Sequence, residues 1–109
     1  MASGWTREEY LAYLLIFCMK SNFHQDENEI SFIVNRVGED VYSSVMEEFR
    51  RDNEYHRAQK IQQGYLELNY SNSERQKLFR EVENFFNTDG AFDAVEQSNF
   101  YTLKRLLHE

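Results

Sequence analysis

The chain has no proline, four glycines and a single cysteine among its 109 residues. Without proline, and with glycine this scarce, turn-rich β architectures are disfavoured and long uninterrupted helices are favoured. One cysteine excludes an internal disulfide and any multi-cysteine zinc site. Cys18 lies in the apolar run LAYLLIFCM, which marks it as a small buried hydrophobe rather than a reactive thiol. That run is too short to span a bilayer and follows Arg7-Glu8-Glu9 rather than a basic leader. Neither a signal peptide nor membrane insertion is expected, and the expected location is cytoplasmic. Positive charge is also in short supply: 12 Lys and Arg stand against 19 Asp and Glu, a net charge of −7. An acidic domain repels phosphate backbones, so nucleic acid is not expected as a partner, whereas cations and basic protein surfaces are. No phosphate-cradling glycine loop, nucleophile elbow or zinc-ligand spacing occurs, and no enzymatic activity is expected.

What is present is the material of one soluble domain, with 41% hydrophobic and 28% charged residues. Four stretches carry a capping box, in which a side-chain acceptor is followed three residues later by Glu or Gln. They are Thr6 with Glu9, Asp26 with Glu29, Ser73 with Gln76, and Asp93 with Glu96. Apolar residues at helical spacing follow each of them. The first helix, about Arg7 to Lys20, is apolar nearly all round and belongs at the centre of a bundle. A second, from Glu27, sets Ile30, Ile33, Val34 and Val37 on one face and stops at Gly38. A third carries Val41, Tyr42, Val45, Met46 and Phe49. Either Asp52 or Asn53 caps a fourth, with Tyr55, Ala58, Ile61, Tyr65 and Leu68 along its stripe. Residues 69–73 are expected to form a loop. A fifth helix shows Leu78, Phe79, Val82, Phe85 and Phe86, and a sixth Phe100, Leu103, Leu106 and Leu107. No period-two pattern is sustained, so the expected fold is all-α, a compact bundle of about six helices.

The ends of the chain resemble each other at an offset of 67. Asp26 falls on Asp93, Glu29 on Glu96, Leu11 on Leu78 and Leu15 on Val82. Two pseudo-symmetric helical hairpins joined by the middle helices are the simplest architecture. The second acidic turn, NTDGAFDAVEQ, has the look of part of a calcium loop. With Gly90 at the sixth position of an EF-hand loop, Asn87 is third, Asp89 fifth, Asp93 ninth and Glu96 twelfth. The first position is then Phe85, which has no oxygen to give, so a standard EF-hand is not expected. What remains is a candidate weak Ca²⁺ or Mg²⁺ site at Asp89, Asp93 and Glu96, with a weaker counterpart at Asn22, Asp26 and Glu29. The same residues are accounted for without an ion, since Asp93 and Glu96 make a capping box and Asp89-Gly90 a turn.

With these motifs the chain resembles the TerB-like family, small all-helical domains associated with tellurite resistance and stress response. The likeness is carried by the opening WTREEYLAYLLIF, the turn DGAFDAVE and its degenerate version NFHQDENE, and extends through RRDNEYHRAQKI. It implies a helical bundle with two related halves, acidic clusters proposed to bind metal ions, and a role as an interaction module. The first copy has Asn22-Phe23 where the family favours Asp-Gly, so the resemblance places any metal at Asp89, Asp93 and Glu96. Tellurite resistance itself does not follow for a lone domain of this kind.

Two further features bear on partners. The segment around Arg50, Arg51, Tyr55 and Arg57 is dense in charged and aromatic groups, a candidate docking patch set against an ordinary solvated helix junction. Aromatics at 16% raise a second functional reading, a metal-free protein-interaction or oligomerisation domain, in the simplest case a homodimer. His24 reads as a solvated turn residue, and Asp52 with His56 as a cap and a surface histidine.

Overall fold

A computed structural model of the chain describes residues 5–20, 27–87 and 94–107, with the side chains of 94–96 and 99 outside that description. Six α-helices follow in order: α1 Arg7–Lys20, α2 Glu27–Val37, α3 Glu39–Arg51, α4 Glu54–Leu68, α5 Asn72–Phe86 and α6 Ala94–Leu106. No strand occurs among the described residues. The fold is an all-α bundle, and its 12.9 Å radius of gyration is that of a packed globule of this length, about 13 Å.

Helix α1 is the axle. Tyr10 to Ile16 are buried without interruption, as are Cys18 and Met19, because α2, α3, α4 and α5 all pack against it. A helix apolar on every side has no other stable place. The phenols on it are paired: the Tyr10 hydroxyl donates to the Ile61 carbonyl at 2.9 Å, and that of Tyr13 to Asp52 at 2.8 Å. Trp5, just ahead of the helix, is buried with its ring 4.7 Å from that of Tyr13.

The helix starts follow side-chain chemistry. The Thr6 hydroxyl accepts from the Glu9 amide at 3.1 Å, and Glu9 returns the favour to the Thr6 amide at 2.8 Å. At α4 the choice between Asp52 and Asn53 falls to Asn53, which accepts from the His56 amide at 2.8 Å. At α5 the expected box moves by two residues. Ser71 with Glu74 caps the helix, not Ser73 with Gln76. The cause lies upstream: Asn69 turns left-handed at φ 51° and ends α4, and Tyr70 then enters the core and stacks on Tyr65 at 5.7 Å. With Tyr70 buried, the chain re-enters helix at once.

Two apolar residues leave their expected stripes. Ile30 is 36% exposed, and the innermost residues of α2 are instead Glu29 and Ile33, four apart. Tyr55 is 69% exposed, standing clear of the core at the start of α4. The repeat register matches the helix starts at one pair and not at the other: adding 67 to Glu27 gives Ala94, the first residue of α6, whereas α5 starts at Asn72, two residues before the equivalent of Arg7. Adding it to Arg7 gives Glu74, and these two side chains form an ion pair with each other.

Candidate functional site

The acidic corners come first. Helix α5 runs through Phe86, and Phe85, which would open an EF-hand loop, is fully buried in the core. A standard EF-hand is therefore excluded by packing as well as by chemistry. Asp89 and Asp93 lie outside the described residues, as do Asn22 and Asp26, and so does the side chain of Glu96. The backbone fixes the register nevertheless, with Glu29 the third residue of α2 and Glu96 the third of α6. Glu29 is 2% exposed, turned into the protein. Burial first, and the Glu29 charge second, push the Cys18 thiol up to about 12. Among the described residues no three His, Cys, Asp or Glu side chains are grouped so that they could hold a metal.

The segment from Arg50 to Arg57 divides. Arg50, Arg51 and Tyr55 are exposed. Arg57 is pinned, donating to the Phe49 carbonyl from Nη2 at 2.8 Å and from Nε at 3.1 Å, with its guanidinium 3.9 Å from the centre of the Phe49 ring. Lying over a ring while donating to a carbonyl is what a guanidinium does well, and it closes the corner between α3 and α4. Arg57 and Phe49 share a cleft of about 370 Å³ with Phe17, Lys20, Glu54 and Ala58. His56 is exposed, as expected of a surface histidine, while Asp52 leaves the cap of α4 to Asn53 and bonds elsewhere. Lys60 bridges Glu48 at 2.7 Å and Asp52 at 2.8 Å, while the Trp5 indole donates to Glu48 at 3.2 Å. Burial alone would raise the Asp52 carboxyl, but the bonds from Lys60 and Tyr13 outweigh it and hold it below its ordinary value. This network ties the entry segment, α1, α3 and α4 together.

On the opposite side, Arg36 of α2 bonds Glu8 of α1 at 2.9 Å and Glu81 of α5, by Nη2 at 3.0 Å. Arg7 pairs with Glu74, donates to the Leu68 carbonyl at 3.2 Å and lies 4.7 Å over the Tyr70 ring. In the cleft between these groups, about 210 Å³, both arginines and the three glutamates are thus engaged with one another, and Lys77 also lines it.

The feature that sequence reasoning did not single out is a groove between α5 and α6. Asn72, Arg75, Gln76, Phe79, Arg80 and Glu83 line it from α5, and Phe100 and Lys104 from α6, around about 560 Å³. The α5 residues recur every three or four positions, which sets them on one face beside the buried stripe of Leu78, Val82, Phe85 and Phe86. Lys104 Nζ lies 5.3 Å from the Phe100 ring centre and 5.9 Å from that of Phe79, and the two rings meet edge to face at 6.3 Å. A signal for it was present: Arg75 and Arg80 flank Phe79 on that face. An aromatic at helical spacing reads as core, however, and Phe79 is only half-buried.

No family model, no curated protein and no solved structure matches the chain.

Proposed function

We propose that this chain is a non-enzymatic, TerB-like helical module that works by holding a protein partner against its surface. One observation carries this: in a chain of net charge −7, a wide groove lined by three cations and two phenylalanine rings stays open between α5 and α6. Open, part-apolar grooves between helices are a recurrent seat for partner segments. The half-buried charged groups elsewhere support the same view, since Asp52, Glu48 and Lys60 are bonded to one another and to the buried Tyr13 across helices. The likeness to TerB-like domains, carried by the sequence motifs, points the same way. Chemical cross-linking of the full chain at native abundance tests the proposal. It expects a partner protein cross-linked at discrete surface positions, and a chain that cross-links to nothing but solvent-exposed bystanders would sink it. A second copy of the chain as the partner is read by light scattering across a concentration series.

The Ca²⁺ or Mg²⁺ expectation at Asp89, Asp93 and Glu96 is a separate proposal. Helix α6 starts at Ala94, so Glu96 is its third residue, the position from which a capping-box carboxylate acts. Calorimetric titration of the chain against Asp89→Ala/Asp93→Ala tests it. Heat lost in the double variant supports the ion, and heat unchanged, or none at millimolar ion, removes it.

A further inference from the structure

We propose that the α5–α6 groove takes a short acidic segment of a partner protein, with an aliphatic or aromatic side chain seated on the floor that Phe79 and Phe100 form. The inference rests on the interaction-module function proposed above and names the chemistry of the partner.

The argument begins with charge. The groove holds Arg75, Arg80 and Lys104 and a single carboxylate, Glu83, whereas the whole chain has 12 cations to 19 carboxylates. Carboxylates therefore outnumber cations in the chain, and the ratio is inverted three to one in this groove. A local field of that sign in an acidic protein steers anionic groups to one place.

Shape narrows the occupant. Along α5 the lining runs from Asn72 to Glu83, three turns or about 16 Å of helix. A small anion would use one end of such a groove, whereas a two- to three-turn helix or about five extended residues would fill it. The floor is aromatic, with Phe79 and Phe100 edge to face and Lys104 held over both. An apolar side chain entering there displaces water from the rings and at the same time brings its neighbours' carboxylates to Lys104 and Arg80. That is the anchor-plus-charge arrangement of helix-in-groove recognition. Contacts along α6 fix the polarity: Phe100 meets Phe86 as well as Phe79, and Lys104 lies nearer the start of α5. The carboxylates of the segment face the Arg75, Arg80 and Lys104 end, and a donor or a basic residue faces Glu83.

The test uses the full chain and four labelled probes: a twelve-residue Glu/Leu helical peptide, its Lys/Leu counterpart, a Glu/Ala version without the anchor, and a twelve-nucleotide oligo-dT. Backbone amide spectra locate the binding and fluorescence anisotropy measures it. The Glu/Leu peptide is expected to shift residues of α5 and α6, to weaken at least tenfold in Arg80→Glu and in Lys104→Glu, and to weaken with added salt. The Glu/Ala peptide should bind more weakly and the Lys/Leu peptide not at all. Arg80 is exposed, so its variant should keep the parent's circular dichroism and melting temperature even if Lys104→Glu does not. Equal binding of the Lys/Leu peptide or of oligo-dT overturns the inference, as does an acidic peptide that shifts only other residues or fails to bind at millimolar concentration. In those cases a partner cross-linked elsewhere, for example beside Arg50, Arg51 and Tyr55, would leave the module function standing.

Discussion

Gly64 sits so close to two rings of the core that even a methyl group has no room. A Cβ there would meet Tyr10 Cδ1 at 2.7 Å and Cε1 at 2.9 Å, and Trp5 Cε3 at 3.2 Å. Tyr10 is fully buried and tied by its hydroxyl to Ile61, so its ring cannot swing aside. Alanine gains about 1 kcal/mol in helix propensity, but overpacking of this kind costs about 1–3 kcal/mol. Gly64→Ala is expected to lower the urea midpoint, and a variant as stable as the parent would show that α4 can shift outward. Charge acts at the same scale. The bond from Arg7, chiefly, and then the amide of Ser71 hold the Glu74 carboxyl down to about 2, against an ordinary 4.5. Between those values the unfolded chain binds the proton that the folded one refuses, so the contribution of Glu74 is complete above about 4.5 and lost as the pH falls to about 2. Glutamine keeps the capping geometry at this position. Glu74→Gln should therefore flatten the plot of stability against pH between about 5 and 2, and superimposable slopes would refute the ion pair. Little of this was legible beforehand. Sequence spacing marks Arg7 and Glu74 as equivalent under the 67-residue offset, but says nothing of their meeting. Gly64 looks like a defect in a helix until the rings opposite it are known.

Helix bounds, by contrast, were largely written in the sequence, because caps act over three or four residues and need no distant partner. Thr6 with Glu9 and Asn53 before α4 formed as local chemistry requires. Where two overlapping boxes competed, Ser71 with Glu74 and Ser73 with Gln76, the burial of Tyr70 decided, and that is a tertiary effect. Ile30 and Tyr55 misled for a related reason: periodicity gives a stripe's spacing but not its limits, and Ile30 lies one position beside the face that packs while Tyr55 lies on the first turn of α4, beyond the reach of the core. The link between α2 and α3 is a sharper case. Gly38 was expected to stop α2, and it does more. Its amide donates to the Val34 carbonyl at 2.8 Å while its carbonyl accepts from Tyr42 at 3.0 Å, so one residue closes one helix and opens the next. The backbone pays with φ 95° and ψ 154°, a region essentially reserved for glycine. Space is not the obstacle, since a Cβ there would meet nothing within 4 Å. Gly38→Ala should lose about 1–3 kcal/mol through backbone strain alone. Asparagine tolerates the left-handed helical region but not this ψ, so Gly38→Asn should fail to restore the melting temperature. Full recovery with asparagine would mean that the turn relaxes to an ordinary left-handed cap.

Across the whole molecule the helices are unequally held, and the inequality falls on the proposed binding surface. Helix α1 is clasped by four others, whereas the main partner of α6 is α5. Leu103 and Leu107 bury α6 against the bundle, Phe100 and Leu106 are half-buried, and Gln62 of α4 donates to the Leu106 carbonyl at 3.0 Å. Opening α6 therefore uncovers a few side chains, while moving α1 uncovers nearly the entire core. Local opening free energies scale with what is uncovered. Native-state hydrogen exchange should show amides at Leu14, Leu15 and Ile16 exchanging only through global unfolding. Amides around Leu103 should exchange through a smaller opening, cheaper by on the order of 1 kcal/mol or more. Equal protection in the two helices would mean a single cooperative unit and would remove this hierarchy. The consequence for binding is direct, because Phe100 and Lys104 face Phe79 and Arg80 only while α6 is docked. A segment seated in the groove must select the docked state, so saturating Glu/Leu peptide should slow exchange around Leu103. If exchange there stays as fast with peptide bound as without it, the segment sits on α5 alone, and α6 has no part in recognising it.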